Sequence, residues 1–192
     1  MKIEALIFDC YGVLYPDTYW TMAREFLGER FEQSRPLLHD LVKRVDLGYL
    51  TRDELWSEFA SLVGISKEAV YARLQEFGGL DKRLLNFIEN QKSTYKIGMI
   101  SNVGQGFIDR MFTDKPASFY FDTIVLSSSV GLVKPDRRIY ELAATELGCD
   151  LGACVFVDDL QKNVEGAIAA GMQAILYNDF DSCVRQINTL CE

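Results

Sequence analysis

The 192-residue chain has little positive charge and almost no histidine: 20 Lys and Arg stand against 28 Asp and Glu, with one His and four Pro. A formal charge of −8 argues against nonspecific nucleic-acid binding, which needs a basic face. An anionic substrate would therefore need locally concentrated positive charge or a metal. Five cysteines show no short paired spacing, so neither a disulfide framework nor a zinc site is expected. Cys149, Cys154, Cys183 and Cys191 read as core or surface thiols, and Cys10 as a small turn residue. No apolar run approaches the roughly 18 residues that a membrane span needs. The N-terminal MKIEALIFD places an acidic residue inside a short apolar run and lacks a small-residue cleavage pattern, so it reads as a first strand and not a signal peptide. The expectation is a cytoplasmic protein, monomeric or homodimeric, with no membrane or nucleic-acid partner.

What is present is a series of short apolar runs: EALIF before Asp9, KIGMI before Ser101, DTIVL before Ser127, ACVFV before Asp158 and QAILY before Asn178. Each resembles a buried strand rich in Ile and Val. Between the later runs, GQGFIDRMF, RRIYELAATELG and QKNVEGAIAAG carry apolar residues at helical spacing, the last two ending at Gly148 and Gly171 as left-handed caps. This alternation predicts an α/β fold with a parallel sheet and helices on both faces.

About 80 residues separate the first two runs without another strand. TYWTMAREFLGERF, RPLLHDLVKRV, RDELWSEFASLV and KEAVYARLQEF each have helix periodicity, Thr51 to Glu54 forms a capping box, and Asp81 caps the helix leading back to the sheet. The chain thus divides into an α/β core, 1–15 and 83–192, and a helical insertion, 16–82. His39, Trp20 and Trp56 read as residues of the insertion's helices, the tryptophans as packing or pocket residues. Asp17 reads as a helix N-cap or loop residue.

In an open parallel sheet, ligands bind at the carboxyl ends of the strands. There lie Asp9, Ser101-Asn102, Ser127 to Ser129 and Asp158-Asp159, with Lys134 in the following loop GLVKPD. The set suits phosphoryl transfer: a carboxylate can attack phosphorus, Mg²⁺ on hard oxygen ligands can neutralise phosphate charge, and Ser and Lys can bind peripheral oxygens.

In order, FDCYGVL (8–14), ISNVG (100–104), GLVKPD (131–136) and VFVDD (155–159) resemble the four motifs of the haloacid dehalogenase-like hydrolase superfamily, over nearly the whole chain. The resemblance implies a Rossmann-like, doubly wound core with the insertion as a C1-type α-helical cap, and DLGYLTRDELW (46–56) resembles a cap segment of phosphatase-like members. It implies Asp9 as nucleophile, Ser101 as phosphate-binding hydroxyl with Asn102 beside it, and Lys134 orienting and neutralising the nucleophile and the phosphoryl oxygens. Asp9, Asp158, Asp159 and the Tyr11 carbonyl would hold Mg²⁺, with Asn163 supporting the acidic pair.

Tyr11 departs from that pattern. Phosphatases of the family usually place a second aspartate there as general acid and base, whereas its 2-haloacid dehalogenases carry tyrosine. A phenol with an ordinary pKa near 10 is a poor base at neutral pH. Activated aryl or acyl phosphates are then expected to react faster than alkyl phosphates. The Asp158-Asp159 pair pulls the other way, since without a cation it would stack negative charge against a haloacid. Dehalogenation also wants a cap arginine, for which Arg24, Arg30, Arg35 and Arg44 are available. A Mg²⁺-dependent phosphatase acting on a small anionic metabolite is the main expectation; a 2-haloacid dehalogenase and a noncatalytic binding or regulatory module are the alternatives.

Overall fold

A computed structural model describes residues 2–192. Five parallel strands form one sheet: β1 (Ala5–Phe8), β2 (Lys96–Ser101), β3 (Thr123–Leu126), β4 (Cys154–Asp158) and β5 (Gln173–Leu176), in the order β3-β2-β1-β4-β5. The chain leaves central β1 for β2 on one side and later returns to β4 on the other, which puts the switch point of the doubly wound sheet at β1. Because side chains alternate across a strand, Leu6 and Phe8 of β1 enter one core while Ala5 and Ile7 enter the other. The first core takes Leu84 and Ile88 of α5 (Lys82–Gln91) and Ile187 of α11 (Phe180–Cys191); the second takes Tyr140 and Ala144 of α9 (Arg137–Leu147) and Ala167 of α10 (Gln161–Ala170).

Between β1 and α5 lie α1 (Thr18–Leu27), α2 (Phe31–Asp46), α3 (Arg52–Val63) and α4 (Lys67–Glu76). Their caps follow the sequence closely. Thr51 and Glu54 make the reciprocal capping box, Asp81 Oδ1 accepts from the Arg83 and Leu84 N–H groups, and Asp17 caps α1. Gly148 and Gly171 end α9 and α10 in the left-handed conformation.

The structure departs from the periodicity at three places. The second helix of the insertion starts at Phe31 rather than Arg35, because Gly28 with φ +51° ends α1 and a short 3₁₀ turn, Gly28–Arg30, runs directly into α2. Two short helices, α7 (Ala117–Tyr120) and α8 (Ser127–Val130), follow α6 (Phe107–Met111) and β3 in segments to which the periodicity assigns no element. Finally, residues after 179 form α11, whose Phe180, Cys183, Ile187 and Cys191 have helical spacing that the strand-centred reading passed over. Among the described residues, no helix is long and apolar enough to cross a membrane.

Candidate active site

The Asp9 N–H donates to the Val157 carbonyl at 2.9 Å, so Asp9 continues the line of β1 along β4 and stands at the carboxyl edge. The backbone then turns. Leu14 and Tyr15 N–H groups donate to the Cys10 carbonyl at 2.8 and 2.9 Å, and the Gly12 N–H donates to the Tyr15 carbonyl at 2.7 Å. The bonds that close this turn leave the Tyr11 carbonyl open. Gly12 has φ +82°, and a Cβ there would lie 2.2 Å from Asp159 Oδ2. Only glycine both turns the chain here and leaves room for that carboxylate.

Lys134 reaches in from the loop after α8 and is 3% exposed. Its Nζ donates to Asp9 Oδ1 at 2.8 Å, Asp158 Oδ2 at 2.6 Å and the Ile100 carbonyl at 3.1 Å. An ammonium has three donors, and all are spent within the protein. Asn102 fixes this lysine: its Oδ1 accepts from the Lys134 N–H at 2.8 Å and its Nδ2 donates to the Lys134 carbonyl at 3.1 Å. Expected beside the substrate, Asn102 does line the cavity, but its amide is occupied in positioning Lys134.

The acidic pair separates into two environments. Asp158 is fully buried, and its oxygens accept from the Leu160 N–H at 2.8 Å, from Asn163 Nδ2 at 3.0 and 3.1 Å, and from Lys134. By contrast, Asp159 Oδ1 is buried without a hydrogen-bond partner. Asp9 spends Oδ1 on Lys134 and the Cys10 N–H, at 2.6 Å, and keeps Oδ2 free. One oxygen from each of Asp9, Asp158 and Asp159 lies within 4.8 Å of the others. Such hard oxygen donors suit Mg²⁺, and the open positions belong to Asp9, Asp159 and the Tyr11 carbonyl.

Three carboxylates around one ammonium raise the proton affinity of the site. Burial pushes Asp9 up to about 7 against the attraction of Lys134, with Asp158 adding repulsion. Burial and then Asp158 push Asp159 up to about 6. Lys134 is disfavoured as a cation by burial, but Asp9 and Asp158 outweigh this and raise its pKa. Burial also raises the Tyr11 phenol well above its ordinary value, so it stays protonated at neutral pH.

A cavity of about 210 Å³ opens above Asp9, Tyr11, Lys134 and Asp159, walled by Tyr19, Trp20, His39, Asp46 and Trp56 of the insertion. Ser101 lies behind this lining, 1% exposed, with its Oγ unpartnered. Ser127, another strand-end hydroxyl, instead accepts from the Val103 N–H at 2.9 Å and shapes the loop after β2. The cavity wall includes no arginine. Arg44 pairs with Glu58 at 2.8 Å, Arg35 with Glu32 at 3.3 Å, and Arg24 lies over the Phe31 ring. Cys10 is buried, and all five cysteines are free thiols. Sequence reasoning missed Asp46 and Lys162, both of which line the cavity; an acidic residue ending an amphipathic helix carries no signal of its own.

Residues 3–171 match the family model of haloacid dehalogenase-like hydrolases. The chain belongs to this family. Among curated relatives, a Mycobacterium tuberculosis protein named as a phosphatase is 27% identical over 99% of this chain and 96% of its own length. Two solved structures share the fold at lower identity. A predicted hydrolase of the family from Porphyromonas gingivalis has TM-score 0.77 and 19% identity, covering 99% of this chain and 98% of that one. A family enzyme of Bacteroides thetaiotaomicron, in complex with magnesium and inorganic phosphate, has TM-score 0.73 and 18% identity, covering 94% and 98%. The chain is thus a hydrolase of the haloacid dehalogenase-like family with relatives named as phosphatases.

Proposed function

We propose that the protein is a Mg²⁺-dependent phosphatase of small phosphorylated metabolites, with Asp9 as nucleophile and α1 to α4, within 16–82, as a cap over the site. The observation that carries this is the group of three carboxylates within 4.8 Å of one another around one ammonium. That excess of negative charge repels a phosphate unless a cation joins it. Asp9, Asp159 and the Tyr11 carbonyl would hold the ion, with Asp158 holding Lys134 or reaching the ion through water. Bound there, Mg²⁺ supplies neutralisation of phosphate charge.

The Asp9 carboxylate attacks phosphorus through one oxygen and turns the other to the metal, while Lys134 beside Oδ1 fixes the plane of the carboxylate. The ester oxygen departs on the side away from Asp9, toward the cap. The unpartnered Ser101 hydroxyl, buried behind the lining, would turn to a phosphoryl oxygen when phosphate is bound, and the cap's aromatic wall excludes bulk water. Water then attacks the acyl phosphate, which frees Asp9 and releases phosphate. A dehalogenase would share the nucleophile and Tyr11, and Arg52 borders Tyr11 from the adjoining cavity. That guanidinium, however, lies over the Tyr71 and Phe107 rings, and the three carboxylates would still repel a haloacid.

The test is a parallel assay of an aryl phosphate, several sugar phosphates and 2-chloropropionate, with Mg²⁺ and with chelator. Phosphate release that vanishes in chelator is expected, with no chloride release. Chelator-resistant chloride release would replace this reading with the dehalogenase, and silence on every substrate with a binding module.

A second prediction isolates the metal. Gly12→Ala drives a methyl group into Asp159, so Mg²⁺ affinity measured by calorimetry should fall by about tenfold or more. An unchanged affinity would remove Asp159 from the ligand set.

A further inference from the structure

The phosphatase reading leaves the proton on the leaving alcohol unaccounted for, because Tyr11 stays a phenol. The cap brings another group to the cavity. Asp46 is the last residue of α2 and lines the same cavity as Asp9, Tyr11 and Lys134. No hydrogen bond or ion pair among the described residues engages its carboxyl, which feels burial and the charges of Lys134 and Lys162.

Its position is held from below. The end of α2 rests on the loops after β2 and β3 at two close approaches: a Cβ on Gly104 would lie 2.7 Å from Val45 Cγ1, and one on Gly48 would lie 3.1 Å from the Ser128 carbonyl. The helix end closes on itself through the Gly48 N–H to the Val45 carbonyl at 2.8 Å and the Tyr49 N–H to the Arg44 carbonyl at 2.8 Å. Asp46 therefore stands at a seated helix terminus on the wall of the cavity that Asp9 also lines, where the charge of Lys134 reaches it.

We propose, resting on the phosphatase reading, that Asp46 is the general acid and base that Tyr11 cannot be. As the bond from phosphorus to the ester oxygen breaks and the bond to the Asp9 carboxylate forms, the Asp46 carboxyl gives its proton to the departing oxygen. The alcohol leaves neutral, and Asp46 becomes a carboxylate. It then takes a proton from the water whose oxygen attacks phosphorus, the bond to Asp9 breaks, and both residues return to their starting states.

The surroundings tune the group for this work. Burial pushes Asp46 up to about 7, opposed by Lys134 and Lys162, and the negative end of α2 acts in the same direction as burial. A general acid works best with its pKa near the operating pH. Among the described residues, the other charged or titratable groups on the cavity wall are Asp17 at the N-cap of α1, Tyr19 from α1, His39 from α2 itself, and Asp9, Asp159 and Tyr11 from the core. Asp17 is the rival, but it spends Oδ1 on the Trp20 N–H at 3.3 Å, and its charge falls on Asp159.

The consequence reverses what Tyr11 alone implies: alkyl phosphates should be turned over at rates comparable to activated aryl esters. The test measures kcat/KM against pH for glycerol phosphate and p-nitrophenyl phosphate, with Mg²⁺, in wild type, Asp46→Asn and Asp17→Asn. In Asp46→Asn, the alkyl ester should lose about 10²-fold or more. That loss should exceed the loss on the aryl ester by at least about tenfold, because p-nitrophenolate departs without a proton. The alkaline limb of the alkyl profile should disappear as well. Adding Tyr11→Asp to Asp46→Asn should recover part of the alkyl activity. Equal losses on both esters, no loss, or an alkyl-selective loss in Asp17→Asn instead would overturn the assignment while leaving the phosphatase intact. Lack of Mg²⁺-dependent release from both esters in the wild type would overturn the phosphatase reading and this one with it.

Discussion

Asp9→Asn should abolish phosphate release, by at least about 10⁴-fold, because an amide nitrogen cannot serve as the attacking group. The same change should leave the fold intact and make the metal-free protein more stable at pH 8. An amide oxygen can still accept from the Cys10 N–H and from Lys134, as Asp9 Oδ1 does at 2.6 and 2.8 Å. What disappears is a buried charge. Two carboxylates share one ammonium here, and the substitution leaves Lys134 and Asp158 as a matched pair.

The pH sign follows from the raised pKa of Asp9, about 7 against an ordinary value of 3.8. Between those values the folded state binds the proton that the unfolded state releases, so the wild type loses stability as pH rises through that window. The variant has no such group, and its advantage should shrink from pH 8 toward pH 5. Urea unfolding in chelator at both pH values checks this. An Asn variant less stable than wild type at pH 8 would mean that the Lys134 pairing outweighs the burial of the charge. In saturating Mg²⁺ the order should narrow or reverse, because ligand binding stabilises only the protein that holds the ion.

Much of the site was legible in the sequence because its chemistry sits at strand ends. Five apolar runs locate five strands, and the residues after them, Asp9, Ser101, Asp158 and Asp159, must share one edge of a parallel sheet. The insertion was legible through its caps, since Thr51, Glu54 and Asp81 act on backbone only two or three residues away. Relations across distance were not. Whether Asp158 or Asp159 keeps an open oxygen depends on Lys134 and Asn163, 24 and 5 residues from Asp158. Asn102 reads as a strand-end polar group, yet it engages a backbone 32 residues away. Asp46 is the extreme case: its place over the site rests on the fit of Val45 to Gly104 and of Gly48 to Ser128, which no local spacing encodes.

Lys134→Met should be the most destabilising single change in the site, by about 3–5 kcal/mol at pH 8 in the absence of metal, the usual cost of stranding a buried charge partner. Methionine keeps an unbranched apolar stem, so the loss reports charge more than volume. Asp9 and Asp158 would then face each other with hydrogen bonds from Cys10, Leu160 and Asn163 but no cation, and the Ile100 carbonyl would lose its donor. Without the ammonium, which holds the Asp9 pKa down, the folded-state proton affinity of Asp9 rises further above the unfolded value. The folded variant therefore takes up protons as pH falls, and stability returns in that direction. Its deficit against wild type should be greatest above pH 7 and should shrink by pH 5.5 in chelator, read by urea unfolding. A deficit of equal size at both pH values would show that Lys134 acts through packing. Mg²⁺ should restore part of the stability but little of the activity, since a cation near Asp9 and Asp159 offsets the charge without holding Asp9 Oδ1. The fall in phosphate release, about 10³-fold or more, should persist at saturating Mg²⁺. Neutralising the site and aiming its nucleophile are then separable tasks, of which only the first can pass from Lys134 to the metal.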